Sequence, residues 1–170
     1  IVPLLILCLI VNKCDKVFVY LGAIFGFLGD VLIIFKKQKA FFAVGSICFM
    51  LGHLFYMIQM YQVIGKVYYW HFIVFGIIAL LLIIIGYNIV YEKIGKMTIV
   101  GVIYFSFLIS TLFVAVTTNK PLIIFGTFTF VISDVILSFV NFFKPTVRRK
   151  ELYVMSTYIL AQTLMILALM

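Results

Sequence analysis

Val17–Phe35 reads VFVYLGAIFGFLGDVLIIF, and the interpretation of this stretch decides the fold. It is apolar from end to end except for one carboxylate, Asp30. At about 1.5 Å per residue, a helix of this length nearly covers the ~30 Å hydrocarbon layer of a bilayer. Five further runs of the same kind follow: Ala40–Tyr61, His71–Tyr91, Met97–Val116, Leu122–Phe143 and Leu152–Met170. The opening run, Ile1–Val11, is too short to span alone and reads as the tail of a further helix. Because an unpaired backbone group in lipid costs several kcal/mol, every run is expected to be helical. The predicted architecture is an all-α, polytopic transmembrane bundle with six full spans and part of a seventh.

Composition supports this reading. The 170 residues are 66% apolar, 18% aromatic and only 11% charged, with a mean hydropathy of +1.32. A soluble domain is about 45–50% apolar and about 25% charged. The excess is too large for one water-soluble core, which excludes a soluble enzyme, a nucleic-acid module and a disordered tail. Residues 1–170 read as one domain without a linker, and an earlier segment is expected before Ile1.

The net charge of +8 comes from 13 basic against 5 acidic residues, and the basic residues gather in short loops. One side carries Lys13, Lys16, Lys66 and Lys120. The other carries Lys36, Lys37, Lys39, Lys93, Lys96, Lys144, Arg148, Arg149 and Lys150. The second, more basic set is expected to face the cytoplasm. Cys8, Cys14 and Cys48 have neither C-x-x-C nor metal-site spacing and read as core fillers.

Of the five acids, Asp15, Glu92 and Glu151 lie in or beside loops, whereas Asp30 and Asp134 lie inside apolar runs. A charge at the centre of a spanning helix costs about 2.5–3.5 kcal/mol on insertion scales, so such residues face a protein interior or a wet cavity. Gly22, Gly26 and Asp30 share one helix face, which places Asp30 against a neighbouring helix. The segment around Asp30 is echoed around Asp134: GDVLIIF at 29–35 against SDVILSF at 133–139.

The second span carries Gly45, Phe49, His53 and Tyr56 on one side, and the last carries Tyr158 and Gln162 one turn apart. Beside Tyr68, Tyr69 and Trp70, His71 reads as part of an interfacial aromatic belt. Tyr87, Asn88 and Tyr91 near a span end read the same way. Tyr104, Ser106 and Ser110 are weaker candidates, since hydroxyls in a helix can bond their own backbone. There is no G-x-S-x-G elbow, no H-E-x-x-H pair and no phosphate-cradling glycine loop, and no metal or cofactor is expected. Two intramembrane carboxyls with His, Tyr and Gln suit proton transfer in a dry pocket, where a carboxyl kept protonated serves as a general acid.

Four blocks in order carry a family resemblance. They are Phe27-Leu28-Gly29-Asp30-Val31-Leu32, Gly45-x3-Phe49-x3-His53-x2-Tyr56, Phe130-Val131-Ile132-Ser133-Asp134 and Tyr158-x2-Ala161-Gln162. Together they resemble the lysoplasmalogenases, the YhhN-like integral membrane proteins. The closing block is commonly Tyr-Tyr-x-Ala-Gln in that family, whereas here Ile159 takes the second position. The resemblance implies about eight helices in the full-length family and hydrolysis of the vinyl-ether bond of lysoplasmalogens. The products would be a fatty aldehyde and glycerophosphocholine or glycerophosphoethanolamine.

On that reading Asp30, Asp134 and His53 are the catalytic candidates, while Tyr56, Tyr158 and Gln162 position the substrate. Asp134 is taken as the acid, and the converse split between the two aspartates fits the residues equally. The expected partners are a lysophospholipid substrate and the bilayer, with no nucleic acid, in the plasma (inner) membrane if the source is bacterial. The competing reading is a proton- or cation-coupled transporter using the same Asp pair.

Overall fold

A computed structural model describes residues 2–13, 15–34, 39–90, 97–142 and 150–170. The order is α1 (Val2–Val11), α2 (Val17–Ile34), α3 (Lys39–Tyr61), α4 (Tyr69–Val90), α5 (Met97–Thr117), α6 (Pro121–Phe142) and α7 (Lys150–Leu169). Among the described residues there is no strand, and the protein is an all-α bundle. Each helix coincides with a predicted run, offset by two residues or fewer at either end.

The ends have local causes. Pro121 opens α6 at the first helical position, where a missing N–H costs nothing. After α5 the chain turns at Asn119, whose φ of 55° lies in the left-handed region that asparagine tolerates. The Asn119 side chain donates to the Lys66 carbonyl at 3.0 Å, and Gly65 N–H donates to the Thr117 carbonyl at 3.1 Å. These bonds pin the α3–α4 and α5–α6 connections together. Lys66 and Lys120 therefore share one end of the bundle, as the loop pattern predicts. The opposing set from 36 to 37, 93 to 96 and 144 to 149 lies outside the described residues, as do the side chains of Lys39, Lys150 and Glu151, and Tyr91 and Glu92. The side chains of Tyr87 and Asn88 are likewise not described. Asp15 is exposed, as its loop position predicts.

Two hairpins dominate the packing, α2 on α3 and α6 on α7, and α5 bridges them by touching α3 and α6. The first hairpin closes on glycine. A Cβ at Gly52 would lie 3.1 Å from the Gly22 carbonyl oxygen and 3.4 Å from the Gly26 nitrogen. The two backbones thus approach as only residues without side chains permit. A further contact runs from α2 to α7, whereas α4 packs chiefly on α5.

The interior joins a set of polar side chains to an apolar core, and the exterior carries many large apolar side chains. His53, Thr111, Ser133, Asp134 and Gln162 are buried, while Phe72, Ile77, Phe125 and Leu160 lie on the outside. Water selects against large apolar patches on a surface, whereas hydrocarbon selects for this inverse distribution. Ala43–Tyr61 and Leu152–Leu169 are long and apolar enough to cross a membrane by length and composition.

The cysteine expectation needs correcting. Cys8 is exposed on α1 and Cys48 is only half-buried, both as free thiols; Cys14 lies outside the described residues. α1 turns Val2 and Leu9 inward, which leaves Cys8 on the outer face. In hydrocarbon an exposed thiol has little solvation to lose or gain, so it need not be a core filler.

Candidate functional site

One hydrogen-bonded chain of side chains joins α3, α7 and α2, and a second pair joins α5 to α6. Gly26 and Asp30 on α2 lie on the stripe that faces both α3 and α7. The position of a Gly26 Cβ would be 3.1 Å from Gln162 Nε2 and 3.7 Å from the Tyr158 hydroxyl. The missing side chain is what allows these α7 groups to reach Asp30. Tyr158 Oη then donates to Asp30 Oδ2 at 3.0 Å. Gln162 Nε2 donates to Tyr158 Oη at 3.4 Å, and Tyr56 Oη donates to Gln162 Oε1 at 3.0 Å. The chain of donors runs one way, from Tyr56 on α3 through α7 to the carboxyl on α2.

Asp134 has a different support. It is 6% exposed, and Tyr104 on α5 donates to its Oδ2 at 2.6 Å. The neighbouring Ser133 donates to the Val154 carbonyl at 3.3 Å and ties α6 to α7. The two carboxyls lie within range of each other's charge. Asp30 is half-buried, whereas Asp134 is buried.

His53 lies between these groups. Its ring meets Phe130, one turn before Asp134, edge-on at 4.3 Å, and Tyr56 at 6.5 Å. Phe130 in turn meets Tyr158 at 5.5 Å. His53 is 2% exposed, and neither ring nitrogen has a hydrogen-bond partner among the described residues. An unmet buried donor or acceptor costs about 1–3 kcal/mol, so the imidazole has unused bonding capacity inside the bundle.

All six residues singled out from the sequence thus belong to one connected interior. Tyr104 is the residue that sequence reasoning discounted. Ser106 and Ser110 do bond their own helix, to the Val102 and Ser106 carbonyls. Tyr104 cannot, because its rigid ring carries the hydroxyl beyond reach of its own turn. One signal was available: Tyr104 and Asp134 are equally far in sequence from Asn119, the turn of their hairpin, and so lie at equal depth.

His71 also departs from expectation. Tyr68, Tyr69 and Trp70 are exposed, as a belt requires, but His71 is fully buried. Its Nδ1 accepts the Tyr68 N–H at 2.8 Å, so it caps the start of α4 in the manner of a capping-box side chain. Among the described residues no group of three or more His, Cys, Asp or Glu is arranged to hold a metal ion.

Carboxyls inside a helical bundle with an apolar exterior define a class: a helical membrane protein. The YhhN family model matches residues 1–169, and the chain belongs to the YhhN family. This bears out the lysoplasmalogenase-like resemblance carried by the four motif blocks. Comparisons with curated proteins and with solved structures gave no match.

Proposed function

We propose that this protein is a multi-pass membrane hydrolase that cleaves the vinyl-ether bond of lysoplasmalogens. The observation that carries this reading is the pairing of Asp30 and Asp134 in one interior, each bound through Oδ2 by a tyrosine from another helix. Family membership supplies the lysoplasmalogenase-like class.

The chemistry follows from the substrate. A vinyl ether hydrolyses by protonation at its β-carbon, which leaves an oxocarbenium-like cation. Asp134, as the more secluded carboxyl, delivers that proton. Asp30 stabilises the cation and then takes a proton from the attacking water, as paired carboxylates do around glycosyl cations. The resulting hemiacetal collapses to a fatty aldehyde and glycerophosphocholine or glycerophosphoethanolamine. The unpaired nitrogens of His53 suit it to orient water or relay the proton. Tyr56, Tyr158 and Gln162 position the ether.

The substrate arrives from the bilayer, with its tail among the helices and its headgroup towards the basic loops. Those loops face the cytoplasm on this reading, and the phosphate is attracted to them. The test is aldehyde release from a lysoplasmalogen by purified protein, beside Asp134→Asn and Asp30→Asn. Wild type releases aldehyde, and each variant loses about 100-fold or more in kcat, the scale of positioned acid–base catalysis. Folded wild type that releases no aldehyde, yet carries out proton-coupled uptake in vesicles, would replace this reading with the transporter.

A further inference from the structure

We propose that Tyr104 is a positioning residue for the reaction, fixing the Asp134 carboxyl so that Oδ1 is the oxygen that exchanges a proton with substrate. The inference rests on the hydrolase reading and adds to it a group from α5, a helix that supplies none of the motif blocks. Tyr104 Oη to Asp134 Oδ2, at 2.6 Å, is as short as any side-chain hydrogen bond among the described residues. Oδ1 of Asp134 takes no hydrogen bond among those residues.

A carboxyl on a two-bond side chain can turn about its last torsion, and its two oxygens are equivalent until something distinguishes them. Here the phenol does so. The ring is rigid, its helix packs directly on α6, and Tyr104 is packed against the buried apolar core. The hydroxyl proton is committed to Oδ2. In the acid form the transferable proton is therefore on Oδ1. During protonation the Oδ1–H bond breaks, the π electron pair of the vinyl ether forms the new C–H bond, and the ether oxygen shares the resulting positive charge. The carboxylate left behind keeps the Tyr104 hydrogen bond, which strengthens as charge develops on the acceptor. Water then adds to the cation, Asp30 takes the proton it releases, and transfer of that proton from Asp30 back to Asp134 restores the acid. Tyr104 keeps its own proton throughout.

The decisive variant is Tyr104→Phe in the purified, lipid-reconstituted protein, with Ser106→Ala as a neighbour whose hydroxyl only meets its own helix. Tyr104→Phe lowers kcat by roughly tenfold to a hundredfold, the range set by a hydrogen bond to a charged group, and leaves KM unchanged. Infrared spectroscopy supplies a readout that a packing defect would not move. The carboxyl band that vanishes in Asp134→Asn shifts in Tyr104→Phe and stays in place in Ser106→Ala. If Tyr104→Phe fails to fold, ring-labelled tyrosine serves instead, and one tyrosine C–O band moves in Asp134→Asn. An unshifted band, or wild-type kcat in folded Tyr104→Phe, overturns the proposal. Full activity in Asp134→Asn would instead overturn the hydrolase mechanism itself, so the two failures are distinguishable.

Discussion

A tyrosine hydroxyl has one proton to give, and at both aspartates of this bundle that proton goes to Oδ2. The consequences differ because the tyrosines differ. Tyr158 is itself an acceptor, held by Gln162, which is held by Tyr56. Tyr158→Phe therefore removes the donor to Asp30 and also leaves the Gln162 amide N–H without its acceptor in a buried place. Leaving such a group unmet costs about 1–3 kcal/mol, so this variant loses thermal stability as well as activity. A melting curve in detergent should show a lower midpoint for Tyr158→Phe. An unchanged midpoint would mean that the Tyr56–Gln162–Tyr158 chain contributes nothing to holding α3, α7 and α2 together.

At the scale of elements, the glycines make opposite predictions on different helices. Gly52 touches the backbone of α2, at the Gly22 carbonyl and the Gly26 nitrogen, and backbone cannot move aside as a side chain can. Gly52→Ala forces α3 away from α2, loosens the network around Asp30, and lowers both stability and activity; overpacking of this kind costs about 1–3 kcal/mol. Gly76 on α4 meets nothing within 4 Å, so Gly76→Ala is neutral or gains up to about 1 kcal/mol from helix propensity. Thermal unfolding of the pair separates the two, and equal shifts would contradict the close α2–α3 approach.

The helices and most of the site were legible because their signals are local or periodic. Apolar runs give the elements, and a carboxylate inside such a run has to face other helices. Tyr104 and His71 were misread for a common reason. Each has a role set by one partner, Asp134 on the next helix or the Tyr68 amide at a helix start, and neither partner leaves a periodic trace in sequence.

Taken as a whole, the bundle couples where the site lies to how the chain is threaded. The α3–α4 and α5–α6 connections are bonded to one another, so positions 66 and 120 have to emerge on the same face of any membrane the protein crosses. Asp30 lies near the other end of α2, about one turn before Ile34, so the half-buried carboxyl lies away from that face, near the end of α2 that leads into the more basic loop. The positive-inside rule predicts that the more basic loops face the cytoplasm. Single cysteines at Lys66→Cys and Lys120→Cys, with Cys8, Cys14 and Cys48 replaced by alanine, test the threading with a membrane-impermeant thiol reagent on intact cells. Both positions label from outside, whereas Lys37→Cys and Lys96→Cys label only after the membrane is opened. Labelling of Lys37→Cys and Lys96→Cys from outside would invert the orientation and have the lipid headgroup enter from the opposite leaflet. Unequal labelling of Lys66→Cys and Lys120→Cys would break the pairing of the two connections on which the depth of Tyr104, Asp134 and the whole site rests.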